Sequence, residues 1–310
     1  MNDLKRFASS ATWSLALLIG MTACAPSVSQ QTQAAVPADA LPLWEVTDGH
    51  GTVYLLGSIH MLRPGAYPLD DAIYAAFDES AVATFELNLD SAVAAAPQML
   101  ARGTYQDGRT LATVLPSELY AELSERLGGL GVPVQAVSGM KPWLIALTLT
   151  ALTLQQAGYE TAQGVDRHFF DRAQAADKRI TSLETMDQQL DTFNGMSEAE
   201  QIAFLRATLD DLGESIDMID EMTELWKRGD AEAIAGMMTE SLEDQPNLKR
   251  RMLDDRNQAW VPQIEAMLRS GETSMVIVGM GHLIGEGSVI DLLLGRSHSV
   301  TRKAAAAAAR

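Results

Sequence analysis

The chain is 310 residues long, 47% hydrophobic, and carries a formal net charge of −18 at pH 7, with a sequence pI of about 4.6. That length suits two average domains or one large α/β domain, and the apolar share is enough for a sizeable core. The acidic balance argues against a nucleic-acid partner, whose affinity needs clustered Lys and Arg, and against electrostatic adhesion to anionic lipid.

At the N-terminus, Lys5 and Arg6 precede an apolar run over 11–20 that is too short to span a bilayer. Met21-Thr22-Ala23-Cys24 follows. Small residues before a lone cysteine resemble the lipobox of bacterial lipoproteins, with Met21 standing where leucine is the stronger choice. The resemblance implies a signal peptide over 1–23, cleavage before Cys24 and a lipid anchor on its sulfur. The alternative is ordinary secretory cleavage at an Ala-x-Ala-like site, with Cys24 incidental. Ala25 is not aspartate, so the resemblance points to the outer membrane, facing the periplasm. Cys24 is the only cysteine, which excludes disulfides within the chain and Cys-rich zinc sites. Residues 24–40 are rich in Gln, Ala, Ser and Pro and predict a flexible tether.

From 41 to 303 strands and helices alternate, as one domain. Strand-like runs at 43–46 and 52–56 flank Asp48-Gly49-His50-Gly51, where Asp-Gly is a hairpin signal. Residues 69–80 predict a helix with Leu69, Ile73 and Phe77 on one face. Residues 81–87 predict a strand ending in Glu86. Residues 116–127 predict a helix on Leu119, Leu123 and Leu127, closed by Gly128-Gly129. Lys141-Pro142-Trp143 opens an apolar stretch to Leu154, shorter than the roughly 20 residues a spanning helix needs; it predicts a buried core helix. A helix over 165–176 and a short strand over 178–184, ending in Glu184, follow.

Ser197 and Glu200 form a capping box that starts a helix reaching 212. Helical pattern continues through 218–226, 231–238 and 248–268, with Pro262 expected to kink or split the last. Met218, Met222, Met237 and Met238 fall at helical spacing and read as core or interface filler. A strand at 275–278, a helix at 288–294 and an edge strand at 299–302 close the domain. The alanine-rich end, 304–310, has no core pattern and reads as a disordered tail. The order predicts an α/β fold: a central, mostly parallel β-sheet flanked by helices, with a helical insertion at about 190–270. No nucleotide-binding signature is present.

Two stretches resemble each other. Val53-Tyr54-Leu55-Leu56-Gly57-Ser58-Ile59-His60 and Met275-Val276-Ile277-Val278-Gly279-Met280-Gly281-His282 are both apolar runs ending in Gly-x-x-His. Each predicts a buried strand, a glycine that permits a sharp turn, and an imidazole at the strand's end. The chain has five histidines, so two in one context is informative. In α/β sheets, ligand sites gather at carboxyl ends of strands, where His60, Glu86, Glu184 and His282 all fall. Imidazoles with carboxylates suit Zn, Fe, Co or Ni, and Mn as well; Mn, Co or Zn is the cofactor expected. A metal lowers the pKa of its bound water, and a nearby carboxylate can take the proton. The same groups without metal can run general acid–base hydrolysis. The plainer alternative is that these are satisfied polar residues at strand ends.

Arg256, Asn257 and Trp260 lie about one turn apart on a helix. They read as a packing face, or as one from which Arg256 aims at a bound anion or the site carboxylate. His50 and His298 are expected to be solvated, and His168 to be structural.

At these residues the chain resembles the TraB/GumN family, which includes the TIKI proteases. Leu43-Trp44 with Tyr54 to His60 matches the opening block, and Phe85-Glu86-Leu87 the strand-end glutamate. Lys141-Pro142-Trp143, Gly164-Val165-Asp166 and Leu183-Glu184-Thr185 with Gln188 match middle blocks. Arg256-Asn257 and Val278 to Gly285 match closing ones. The resemblance implies a fold akin to ChaN-like and erythromycin-esterase-like proteins. From its TIKI branch it implies metal-dependent proteolysis, with His60, Glu86 and His282 essential. The expectation is a membrane-tethered, metal-dependent hydrolase of the cell envelope acting on peptides or proteins. His60, Glu86 and His282 would bind the metal, Glu86 serving as ligand or general base, with Glu184 and Arg256 in support. The alternatives are a non-catalytic envelope protein that binds metal, haem or peptide in the same cleft, and an interaction protein that docks a partner on its acidic helical block.

Overall fold

The computed structural model describes residues 40–211, 215–242 and 246–306. The expected signal peptide, the lipidation site Cys24 and the tether up to residue 39 lie outside the described residues, as do 307–310. Among the described residues there are six strands: β1 (Ala40–Thr47), β2 (Thr52–Ser58), β3 (Val82–Phe85), β4 (Arg179–Ser182), β5 (Ser274–Gly279) and β6 (Ser299–Ala304). They make one sheet in the order β4-β3-β5-β2-β1-β6. The β4-β3, β3-β5 and β5-β2 pairs are parallel, and the β2-β1 and β1-β6 pairs antiparallel. The fold is therefore α/β with a mixed, mostly parallel sheet. β2 and β5 lie inside it, and their unbroken apolar runs are buried along almost their whole length, as strands covered on both faces require.

Helices Asp71–Glu79, Val165–Ala175, Asp255–Ser270 and Val289–Gly295 pack on the sheet. Phe77, Phe169, Trp260, Leu268 and Leu293 are buried against Leu43, Leu55, Leu56 and Ile277. A second core joins Leu119, Leu123 and Leu127 of helix Ser117–Gly129 to Ile145, Leu149, Leu205 and Leu209. Each fully buried leucine contributes about 1.5–3 kcal/mol over exposure, so this row holds the helix despite the glycines at its end. The apolar stretch after Lys141 forms the buried helix Pro142–Gln156. Among the described residues no helix is long and apolar enough to cross a membrane. Every secondary-structure element described between β4 and β5 is a helix, joined by short turns.

Three details differ from the sequence reading. Pro262 lies inside the continuous helix Asp255–Ser270 and does not split it, and a π-helical segment at Arg250–Asp254 precedes that helix. Pro262 and Gln258, whose carbonyl loses its partner, are both exposed, so water can meet the lost bond. His298 is not solvated: its side chain is 16% exposed and its Nε2 lies 3.1 Å from Glu265 Oε1. The ordered backbone also runs past 304. Ala304 closes β6, Ala305 packs on the core and Ala306 N–H donates to Asp70 Oδ1 at 3.0 Å. Edge pairing needs backbone groups, not an apolar pattern.

Candidate functional site

The four parallel strands point the same way, so the residues that follow them collect at one edge of the sheet. His60 comes two residues after β2, Glu86 directly after β3, Glu184 two residues after β4, and His282 in the single turn Met280–His282 after β5. Register brings them level: Phe85 pairs with Ile277 and Ser182, and Ser58 with Gly279. Helix Asp255–Ser270 lays Arg256, Asn257 and Trp260 over this edge. All five predicted site residues, His60, Glu86, Glu184, Arg256 and His282, therefore meet in one place.

Glu86 is central. Its side chain is 10% exposed, and the Nε2 atoms of His60 and His282 stand 4.0 and 3.9 Å from its Oε1. Oε1 also accepts Gly279 N–H at 2.7 Å, and Oε2 accepts Arg256 Nη2 at 2.6 Å. Burial alone would raise its pKa. In the acid range where Glu86 titrates, His282, His60 and Arg256 are all charged, and with the Gly279 N–H they outweigh burial and hold its pKa down at about 2.

The two histidines differ. His282 is buried, with its ring 4.3 Å from that of Trp260. Asn257 Nδ2 donates to Gly287 O at 2.9 Å, which turns Asn257 Oδ1 toward His282 Nδ1 at 2.7 Å. Arg256 can only donate, so His282 Nε2, 3.1 Å from Arg256 Nη1, must accept. The network thus assigns a neutral ring with its proton on Nδ1. Burial, which the charge of Glu86 does not overcome, agrees by lowering the His282 pKa to about 4. With His282 neutral, His60, Arg256 and the Gly279 N–H carry the stabilisation of the Glu86 carboxylate.

His60 is the exposed one of the pair, its side chain 59% exposed. Surrounding protein opposes its charge, but a hydrogen bond to Asp166 and the charges of Asp166 and Glu86 prevail and raise its pKa to about 9. Asp166 Oδ2 is 3.2 Å from His60 Nδ1, while Oδ1 is buried and bonds no group among the described residues. Asp166 reaches this place because Val165 N–H donates to Ile59 O at 2.9 Å, docking the start of helix Val165–Ala175 against the loop after β2. Gly164 makes that contact possible: a Cβ there would lie 2.3 Å from His60 O.

Arg256 and Glu184 form the far wall. Arg256 Nε and Nη2 grip Glu184 Oε1 and Oε2 at 2.9 and 3.0 Å, and Trp260 Nε1 donates to Glu184 Oε1 at 2.9 Å. Next to His60, a cavity of about 220 Å³ is walled by Phe85, Leu87, Leu89 and Ile277, with Gln189 and Asp166 as further polar groups.

Asp166 carries no sequence signal of a site residue beyond its place in the block Gly164-Val165-Asp166, because an aspartate in a helix's first turn reads as a terminus residue. Of the other histidines, His168 is structural, stacked on Tyr67 at 4.3 Å and bonded to Tyr74 Oη at 3.3 Å.

The donor set fits a divalent transition metal by type. Both Nε2 atoms face one carboxylate oxygen, and each Nδ1 is held by an oxygen acceptor, as the outer partners of metal-bound histidines do. Gly279 keeps the gap open, since a Cβ there would lie 3.2 Å from Glu86 Oε1, 3.5 Å from His60 Nε2 and 3.7 Å from His282 Cδ2. The spacing is wider than a closed site, and among the described residues no three such groups come close enough to hold an ion. Arg256 Nη1 occupies the His282 lone pair instead.

Residues 42–302 match a model described as the TraB/PrgY/gumN family. A curated protein of Treponema pallidum (strain Nichols), described as an uncharacterized protein, is 22% identical over 269 residues, spanning 82% of this chain and 80% of its own. No solved structure matches the chain.

Proposed function

The chain belongs to the TraB/PrgY/gumN family, and from that membership and the strand-end site we propose that it is a metal-dependent hydrolase of the cell envelope acting on peptides or proteins. One observation carries the reading: two imidazoles from separate Gly-x-x-His turns converge on the same oxygen of a buried glutamate. His60, Glu86 and His282 would hold the metal, with Mn, Co or Zn suited to the donor set. Such an ion supplies Lewis acidity and lowers the pKa of bound water.

The remaining roles belong to the chain. Asp166 and Asn257 fix the two rings with Nε2 inward. Glu86, held ionised at about 2, is a poor proton acceptor at neutral pH, which favours the role of ligand over general base. The apolar walls beside His60 suit an apolar side chain flanking the reacting carbonyl. Anchoring in the outer membrane through lipid on Cys24 rests on the lipobox resemblance alone. Incubating the purified chain with a peptide library and added Mn, Co or Zn tests the reading. Cleavage that disappears in Glu86→Ala is expected; no cleavage under any metal, or cleavage unchanged in that variant, would overturn it.

A further inference from the structure

We infer that Arg256 is the metal's internal stand-in: it holds His282 and Glu86 in the metal-free site and withdraws alongside Glu184 when an ion enters. The inference rests on the metal reading above. Arg256 has five N–H donors, and all are used: Nε and Nη2 on Glu184, Nη2 on Glu86, and Nη1 on Met252 O at 3.1 Å and on His282 Nε2. The bond to His282 consumes the one lone pair that ring could offer a metal, because its other nitrogen carries the proton given to Asn257. The bond to Glu86 at 2.6 Å supplies the positive charge a buried carboxylate needs. Guanidinium and dication thus compete for one carboxylate and one imidazole. Nor can Arg256 bind a substrate oxyanion from this position, since it has no free donor.

The geometry also provides a place to withdraw to. A cavity of about 270 Å³ borders Arg256, Glu184, Gln188, Thr192, Trp260 and Gln263, and is lined by none of His60, Glu86 or His282. The Glu184 fork and the Trp260 face, 4.8 Å from the guanidinium carbon, can keep hold of the side chain while Nη1 and Nη2 leave the other two. Glu184 then neutralises a charge that would otherwise face the ion.

The test is Co²⁺ titration of the purified full-length chain, read by affinity and visible absorption, in wild type, Arg256→Met and His282→Ala. Removing a unit charge within a few ångströms of the ion should tighten binding at least about tenfold in Arg256→Met, with His282→Ala losing the signal. If wild type binds through His282 but Arg256→Met binds no tighter, the stand-in role is wrong and the hydrolase reading survives. If neither binds, both fall. Should Arg256→Met fail to fold, the near-isosteric Glu184→Gln decides: weaker Co²⁺ binding than wild type supports the inference, and unchanged binding overturns it.

Discussion

Glu184 grips Arg256 through both carboxylate oxygens, at 2.9 and 3.0 Å, with the two side chains only 9% and 11% exposed. Deleting one partner of a buried pair strands the other. Glu184→Ala would also leave Trp260 Nε1 without its acceptor. It should destabilise the chain by about 3 kcal/mol or more, measured by chemical denaturation. Glu184→Gln keeps an acceptor for Trp260 and should cost less.

Gly279 keeps the space between His60, Glu86 and His282 clear, since an added Cβ would lie 3.2 Å from Glu86 Oε1. Gly279→Ala should therefore lower kcat/KM by about a hundredfold through misplacement of the reacting groups. Its melting temperature should stay within about 4 °C of wild type, because β5 and its pairing are untouched.

Gly164 serves the same site by close approach. An alanine there would place its Cβ 2.3 Å from the His60 carbonyl oxygen, a backbone atom that cannot turn aside. Gly164→Ala should cost about 2 kcal/mol and loosen Asp166 from His60. An NMR titration of His60 should then show its pKa falling from about 9 toward 6.5.

The metal-free chain should be most stable near pH 6.5. His60 has its pKa raised from 6.5 to about 9, so its contribution is complete below 6.5 and is lost as pH rises through 9. His282 is lowered from 6.5 to about 4 and Glu86 from 4.5 to about 2. Their contributions are complete above 6.5 and 4.5 and are lost as pH falls through 4 and 2. Thermal melts across pH should show both limbs, and Asp166→Asn should flatten only the alkaline one.

Much of this site could be read from strand ends. His60, Glu86, Glu184 and His282 each follow an apolar run, and a parallel sheet brings such ends to one edge. The helical spacing puts Arg256 on a face from which it can aim at the site carboxylate, and it binds two, Glu86 and Glu184. Asp166 was harder, because its role depends on Val165 docking against Ile59, a contact with no local pattern. His298 gave no sign of its partner Glu265 for the same reason. The short helices Leu89–Ala94, Ala96–Arg102 and Leu111–Val114 span too few turns for periodicity to register. The π-helical segment before Arg256 left no signal, whereas Pro262 gave a strong one at a position where solvent absorbs its effect.

The central claim is that His60 and His282, from opposite ends of the chain, bind one metal together with Glu86. Metal analysis of purified wild type, His60→Ala and His282→Ala after loading with Co or Zn tests it most directly. About one equivalent in wild type, falling away in each variant, is the result predicted. Equal metal content in all three proteins would contradict it.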